Sequence, residues 1–110
     1  MHAASTLIDE RFRALADPTR RKILGLVGQK EYPAGEIAGQ FEMTRPAVSR
    51  HLRILREARL VTVKSAGTTR FYSADKKALS DLGQIFGQFW DDGLPRLKAL
   101  AEKEAHRGRT

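Results

Sequence analysis

Cysteine is absent from this sequence of 110 residues, which excludes disulfides, thiolate metal ligands and thiol redox switches. The sequence also lacks an apolar run approaching the ~18 residues of a membrane span. Its N-terminus lacks the basic-then-apolar layout of a signal peptide. We therefore expect a cytoplasmic protein, and the length predicts one domain over residues 1–110.

Catalytic and metal-binding motifs are also missing. The sequence contains no Gly-rich phosphate loop, no HExxH and no nucleophile motif. Its three histidines are His2, His51 and His106. Because transition metals favour imidazole or thiolate ligands, we predict no metal site and no cofactor. These absences argue against an enzyme.

Positive charge is concentrated in one part of the chain. The formal net charge is +7, and residues 43–77 contain nine basic and two acidic side chains, so they carry the whole excess. A localised basic field of this kind favours a polyphosphate partner such as DNA. The alternative is a solvated basic face with no partner.

Four amphipathic helices are predicted in the first sixty residues, where apolar residues recur at three- and four-residue steps. We place them at about 5–16, 18–27, 34–41 and 45–58, with a loop at 30–33. Asp17 and Thr44 are suited to cap the second and fourth helices, and Gly28 is a candidate C-cap of the second. The predicted inward-facing residues are Ile23, Leu24, Val27, Ile37, Ala38, Phe41, Val48, Leu52 and Leu55.

After Leu60 the apolar period changes to two. Strand-like segments at 61–64 and 70–73, with Gly67 between them, predict a β-hairpin. A helical pattern resumes at Asp75, and Pro95 predicts a kink or a split into two helices near Asp92. The order α-α-α-α-β-β-α predicts a mostly α protein with a small β-hairpin (α+β), namely a winged helix-turn-helix. Its helix-turn-helix spans about 34–58, its wing about 61–73 and its C-terminal dimerisation helix about 75–104.

The fourth helix has the two dissimilar faces that a recognition helix needs, because the second helix of a helix-turn-helix lies in the major groove. An arginine there can bond a guanine bidentately. We predict that Arg45, Ala47, Ser49 and Arg50 enter the groove and that Thr44 and Arg53 bind phosphates. His51 either contacts DNA or lies partly buried beneath the helix. Arg56 and Arg59 are predicted to be solvated or structural.

The hairpin carries basic and small polar residues near its tip. Lys64, Thr68 and Arg70 are placed to reach an adjacent minor groove or its phosphates, and the alternative for each is a solvated turn.

The aromatic residues of the last segment exceed what one helix needs for its own core. Helix-turn-helix units usually bind as two-fold dimers. We therefore predict a homodimer paired through the first and last helices, although the same residues could instead close the core of the monomer. The predicted interface residues are Leu7, Ile8, Phe12, Leu82, Phe86, Phe89, Trp90 and Leu97.

Three motifs together resemble a known family. Residues 14–24 (ALADPTRRKIL) resemble the opening signature of the ArsR/SmtB repressors, residues 45–58 their recognition helix and residues 70–72 their second wing strand. The resemblance covers about residues 7–100 and implies a homodimer, operator binding and release by an effector. Glu42 and Arg59 stand where such sequences often carry glycine. Without cysteines, the sequence looks like the branch that lacks a recognisable inducer site.

The prediction is a sequence-specific repressor that binds a palindromic operator in double-stranded DNA as a homodimer. Members of this branch often repress their own or a neighbouring operon. Two alternatives stay open: an unidentified small molecule or protein could gate the same DNA binding at the dimer interface, or the fold could serve protein interaction without DNA. The charge concentrated at residues 43–77 argues against the latter.

Overall fold

The computed structural model describes residues 3–107, which form a mostly helical fold with one small sheet. The elements are α1 (Ala3–Ala16), α2 (Pro18–Gln29), β1 (Tyr32–Pro33), α3 (Ala34–Gln40), α4 (Arg45–Glu57), β2 (Val61–Ala66), β3 (Thr69–Ala74), α5 (Lys76–Gln88), a π-helical turn (Phe89–Gly93) and α6 (Leu94–Arg107). Of the described residues, 3–79 form one compact unit and 80–107 another. No helix of this part of the chain is long and apolar enough to cross a membrane.

The sheet has three antiparallel strands in the order β1-β3-β2. The predicted hairpin is confirmed, but its strands extend to Ala66 and Ala74. The predicted loop at 30–33 contains β1, in which Tyr32 pairs with Tyr72 and Pro33 with Phe71. Proline is tolerated on this edge strand, where its missing N–H breaks no ladder. Two residues are too few to show a period, so the sequence pattern could not predict this strand.

The core of the first unit is built from α2, α3 and α4 with contributions from the sheet. Eight of the nine predicted inward-facing residues are buried. The exception is Phe41, which caps the C-terminus of α3 and is half-buried. The largest fully buried side chains are Ile23, Ile37, Leu52, Leu55, Leu60, Val27 and Val48.

Helix α2 begins at a strong cap. Asp17 Oδ1 accepts the backbone N–H of Thr19 at 2.7 Å and that of Arg20 at 3.2 Å. Pro18 occupies the first helical position, where a missing N–H costs nothing. The predicted C-cap at Gly28 is wrong, because the helix continues through Gln29 and Lys30 leaves it in an extended conformation.

Two helices end at residues with positive φ that are not glycine. Glu42 follows α3 with φ 53° and Arg59 follows α4 with φ 57°. After α4 the N–H of Arg59 bonds to the carbonyl of Arg56, and that of Leu60 bonds to the carbonyl of Leu55, both at 2.9 Å. This pair of bonds is a Schellman motif, and it satisfies carbonyls that the helix end leaves free. Glu42 and Arg59 occupy positions where glycine is common, and both adopt the left-handed conformation.

In the second unit, the interruption expected near Asp92 takes the form of a π-helical turn. The N–H of Leu94 bonds to the carbonyl of Phe89, five residues earlier. Such a widened turn relieves the clash that the Pro95 ring would make with the carbonyl four residues back. The predicted last helix is therefore split into α5 and α6, and it ends at Arg107 rather than at about 104.

Candidate nucleic-acid interface

Helix α4 is anchored by its apolar face and capped at both ends. Val48, Leu52 and Leu55 are at most 2% exposed. At the N-terminus, Thr44 Oγ1 accepts the backbone N–H of Ala47 at 3.3 Å, which confirms the predicted cap. The hydroxyl can still donate its own hydrogen to a phosphate. The helix is thus held rigidly, and the predicted contact residues Arg45, Ser49, Arg50 and Arg53 are exposed on it.

A groove of about 720 Å³ separates α4 from the wing. It brings together four predicted DNA contacts from two elements distant in sequence, namely Arg45 and Ser49 of α4 with Thr68 and Arg70 of the wing. The full lining is Pro33, Ala34, Gly35, Glu36, Arg45, Ser49, Thr68, Thr69, Arg70 and Tyr72. The sequence pattern missed residues 33–36 because the pairing of β1 with β3 places them there.

A smaller groove of about 330 Å³ continues along α4. Arg53 and Arg56 of the helix meet Arg70 and Tyr72 of β3 there, together with Ser49 and Leu52. Arg56, predicted to be solvated or structural, is exposed and lines this groove. Three guanidinium groups beside one groove create the positive field that a phosphate backbone requires.

Gly35 lies close to the guanidinium of Arg45. A Cβ built at residue 35 would lie 3.2 Å from Arg45 Nη1, closer than most such contacts. The glycine therefore lets the guanidinium lie across the first turn of α3. Sequence patterning did not single out Gly35, which leaves room for Arg45 beside the larger groove.

The remaining predicted contacts lie outside the two linings. Thr44, Arg50 and Lys64 are exposed, and Ala47 is half-buried. Lys64 lies on β2 opposite Phe71. The wing closes through a two-residue turn, since Ala66 pairs with Thr69, and φ is 63° at the first turn residue, Gly67. Glycine adopts this conformation without steric cost.

His51 is half-buried and faces α2. Its Nδ1 lies 3.4 Å from Arg20 Nη1. The same arginine donates to the carbonyls of Ala14 at 2.7 Å and Arg13 at 3.2 Å. Of the two predicted roles of His51, the partly buried position is observed, and a DNA contact stays a prediction.

Asp17 completes this cluster, with Oδ2 3.7 Å from Arg20 Nη1. The backbone N–H of Arg20 lowers the pKa of the Asp17 carboxyl. Burial opposes this effect, whereas the N–H of Thr19 and the charges of Arg20 and His51 reinforce it. The carboxylate is therefore stabilised in its ionised, capping form.

Large apolar side chains are exposed in both units. Among the predicted interface residues, Phe12, Phe86, Phe89, Trp90 and Leu97 are exposed, with Trp90 at 57%. Leu100 is exposed as well and was not predicted. Leu7 and Ile8 are half-buried, while Leu82 is 5% exposed and has little surface to offer a partner. Within the second unit, the Phe86 ring lies 6.2 Å from that of Phe89 and 6.1 Å from that of Trp90.

A helix capped at both ends, with an arginine-rich face beside a two-stranded wing, defines a winged helix-turn-helix DNA-binding protein. The family model described as "Bacterial regulatory protein, arsR family" matches residues 17–63. The chain is 38% identical to the HTH-type transcriptional regulator Rv2034 of Mycobacterium tuberculosis, over 87% of the chain and 90% of that relative. The chain belongs to the ArsR family of bacterial transcriptional regulators.

Two further relatives agree with this assignment. The transcriptional repressor SdpR of Bacillus subtilis is 40% identical over 64% of the chain and 78% of its own length. The homodimeric winged helix-turn-helix DNA-binding domain Mb0332 from Mycobacterium bovis superposes with a TM-score of 0.67. It is 26% identical, and the match covers 84% of this chain and 85% of that domain. The predicted fold class and family are confirmed.

Proposed function

We propose that this regulator represses transcription by binding a palindromic operator as a homodimer, with α4 in the major groove and the wing on the flanking DNA. The observation that carries this proposal is the groove between α4 and the wing, where Arg45 and Arg70 lie on opposite sides. It joins residues of the predicted recognition helix to residues of the predicted wing tip. A groove of this composition suits one strand of the DNA backbone.

Within this interface, we assign sequence discrimination to Arg50 and Arg45 with Ser49 and Ala47 at the N-terminal half of α4. Arginines in this position can bond the O6 and N7 atoms of guanine. We assign phosphate binding to the residues lining the grooves or exposed on the wing and helix cap, namely Thr44, Arg53, Lys64, Thr68 and Arg70, with His51 as a further donor.

The homodimer follows from the exposed apolar side chains and from the homodimeric state named for the Mycobacterium bovis domain. Burying Phe89, Trp90 and Leu97 against a second copy would remove an apolar area that water disfavours. Two recognition helices related by two-fold symmetry then read half-sites about 34–36 Å apart. In this proposal residues 1–110 act as one dimerising domain, and the protein is a cytoplasmic regulator rather than an enzyme.

The test is the salt dependence of duplex binding, measured by fluorescence anisotropy on DNA from just upstream of the coding sequence and on unrelated duplex. If Arg53, Lys64 and Arg70 of both protomers each neutralise one phosphate, log affinity falls against log salt with a slope of about −5. Preference for the upstream duplex supports the autorepression that the family resemblance implies, and equal binding to both duplexes counts against autorepression. A shallow slope, or no binding to either duplex, would overturn the DNA-binding function and favour a protein-interaction module.

A further inference from the structure

The contact between Arg20 and His51 links α2 to the predicted recognition helix. Arg20 Nη1 and His51 Nδ1 lie 3.4 Å apart. A guanidinium donates and never accepts, whereas each nitrogen of a neutral imidazole can do either, depending on the tautomer. When the imidazole is neutral, Nδ1 therefore accepts in this contact, which leaves the ring hydrogen on Nε2.

Arg20 is itself held firmly, so it can act as a fixed reference for the imidazole. Its side chain is 15% exposed. Its Nε and Nη2 donate to the carbonyls of Ala14 and Arg13 at the end of α1, and Asp17 lies 3.7 Å from Nη1. The charged groups facing the imidazole on this side are therefore the Arg20 guanidinium and the Asp17 carboxylate.

We propose that Arg20 is a positioning residue for DNA recognition: it fixes the Nε2–H tautomer and the orientation of His51, so that Nε2–H serves as a donor to a DNA phosphate. This proposal rests on the proposed function. Arg20 needs no contact with DNA to do this, because it acts through the imidazole. A histidine with both its tautomer and its ring orientation fixed loses less freedom on binding than one that rotates.

Arg21 provides a matched control within the same turn of α2. Its Nη1 donates to the carbonyls of Leu15 at 2.7 Å and Ala16 at 3.2 Å. Arg20 and Arg21 thus both satisfy carbonyls at the end of α1, and replacing either removes one positive charge. Arg20 makes two contacts beyond these carbonyls, one with His51 and one with Asp17. The His51→Ala background separates the first of these contacts from the second.

The test is a mutant cycle of Arg20→Gln and Arg21→Gln, each made in the wild-type and in the His51→Ala background. Affinity is measured by anisotropy on the tightest-binding duplex selected from a random pool. We expect Arg20→Gln to weaken binding roughly three- to tenfold more than Arg21→Gln, the size of one hydrogen bond. In the His51→Ala background this difference should disappear. Equal losses for the two glutamine variants, or a difference that persists without His51, would overturn the proposal.

A second measurement needs no variant at the arginine. The ¹⁵N shifts of the His51 imidazole in the free wild-type protein, recorded at about pH 8, identify which nitrogen carries the hydrogen. The His51→Ala spectrum assigns the resonance. We expect hydrogen on Nε2, and hydrogen on Nδ1 would overturn the proposal even if Arg20→Gln fails to fold. Absence of specific binding by the wild type would instead count against the proposed function and leave the tautomer result standing.

Discussion

Replacing Arg59 by glycine tests whether the end of α4 is strained as the structure indicates. Arg59 is exposed and has φ 57°, in the left-handed region that disfavours residues with a Cβ. That conformation costs about 1–2 kcal/mol for an L-residue. Glycine removes this cost but loses more backbone entropy on folding, about 0.5–1 kcal/mol. The net expectation is a free energy of unfolding about 0.5–1 kcal/mol higher for Arg59→Gly.

Thermal unfolding followed by circular dichroism at one fixed protein concentration measures this change, since a dimer's Tm depends on concentration. The gain corresponds to a rise in Tm of roughly 2–8 °C. Arg59→Ala is the control, because it removes the same charge but keeps the Cβ, and it should show no such gain. The strain argument is refuted if Arg59→Gly is no more stable than Arg59→Ala.

Three further predictions follow from the core, the α2 cap and the exposed aromatics. Leu55→Ala removes a side chain that is 0% exposed and should lower the free energy of unfolding by about 2–5 kcal/mol in urea titrations; a loss below 1 kcal/mol would contradict the packing. Because the folded-state pKa of Asp17 is lowered, its contribution is present above the unfolded pKa of about 3.9 and is lost as pH falls through the folded pKa. Asp17→Asn keeps a capping side chain, so its free energy of unfolding should fall less steeply as the pH is lowered. A pH profile unchanged from that of the wild type would refute the claim that Asp17 caps the helix as a carboxylate. Trp90→Glu places a charge in the proposed interface, and the variant should sediment as a monomer. An unaltered dimer would exclude this surface as the dimer interface.

The first unit could be predicted well because its physical signals are local. The apolar spacing of Val48, Leu52 and Leu55 defines the buried face of α4, and Thr44 marks its start. Glu42 and Arg59 occupy positions where glycine is common, and both have a positive φ. Local chemistry therefore predicted the helix ends closely, apart from Gly28.

What the sequence could not supply is pairing between distant segments. The strand β1 exists because residues 32 and 33 meet β3, and this pairing brings Gly35 beside Arg45. The contact of Arg20 with His51 spans 31 residues and leaves no periodic signal. Pro95 predicts an interruption, but the π-helical form of the turn at Phe89–Gly93 depends on backbone geometry that a proline alone does not specify.

The central claim is that the exposed face of α4 reads DNA sequence, and Arg50→Ala tests it most directly with Arg53→Ala as the matched control. Both arginines are exposed on α4, and each substitution removes one charge. Affinities for the selected duplex and for unrelated duplex are measured at one salt concentration. We predict that Arg50→Ala loses about 1–3 kcal/mol of discrimination per half-site, while Arg53→Ala weakens binding to both duplexes alike. Full discrimination retained by Arg50→Ala would contradict this account of the recognition helix.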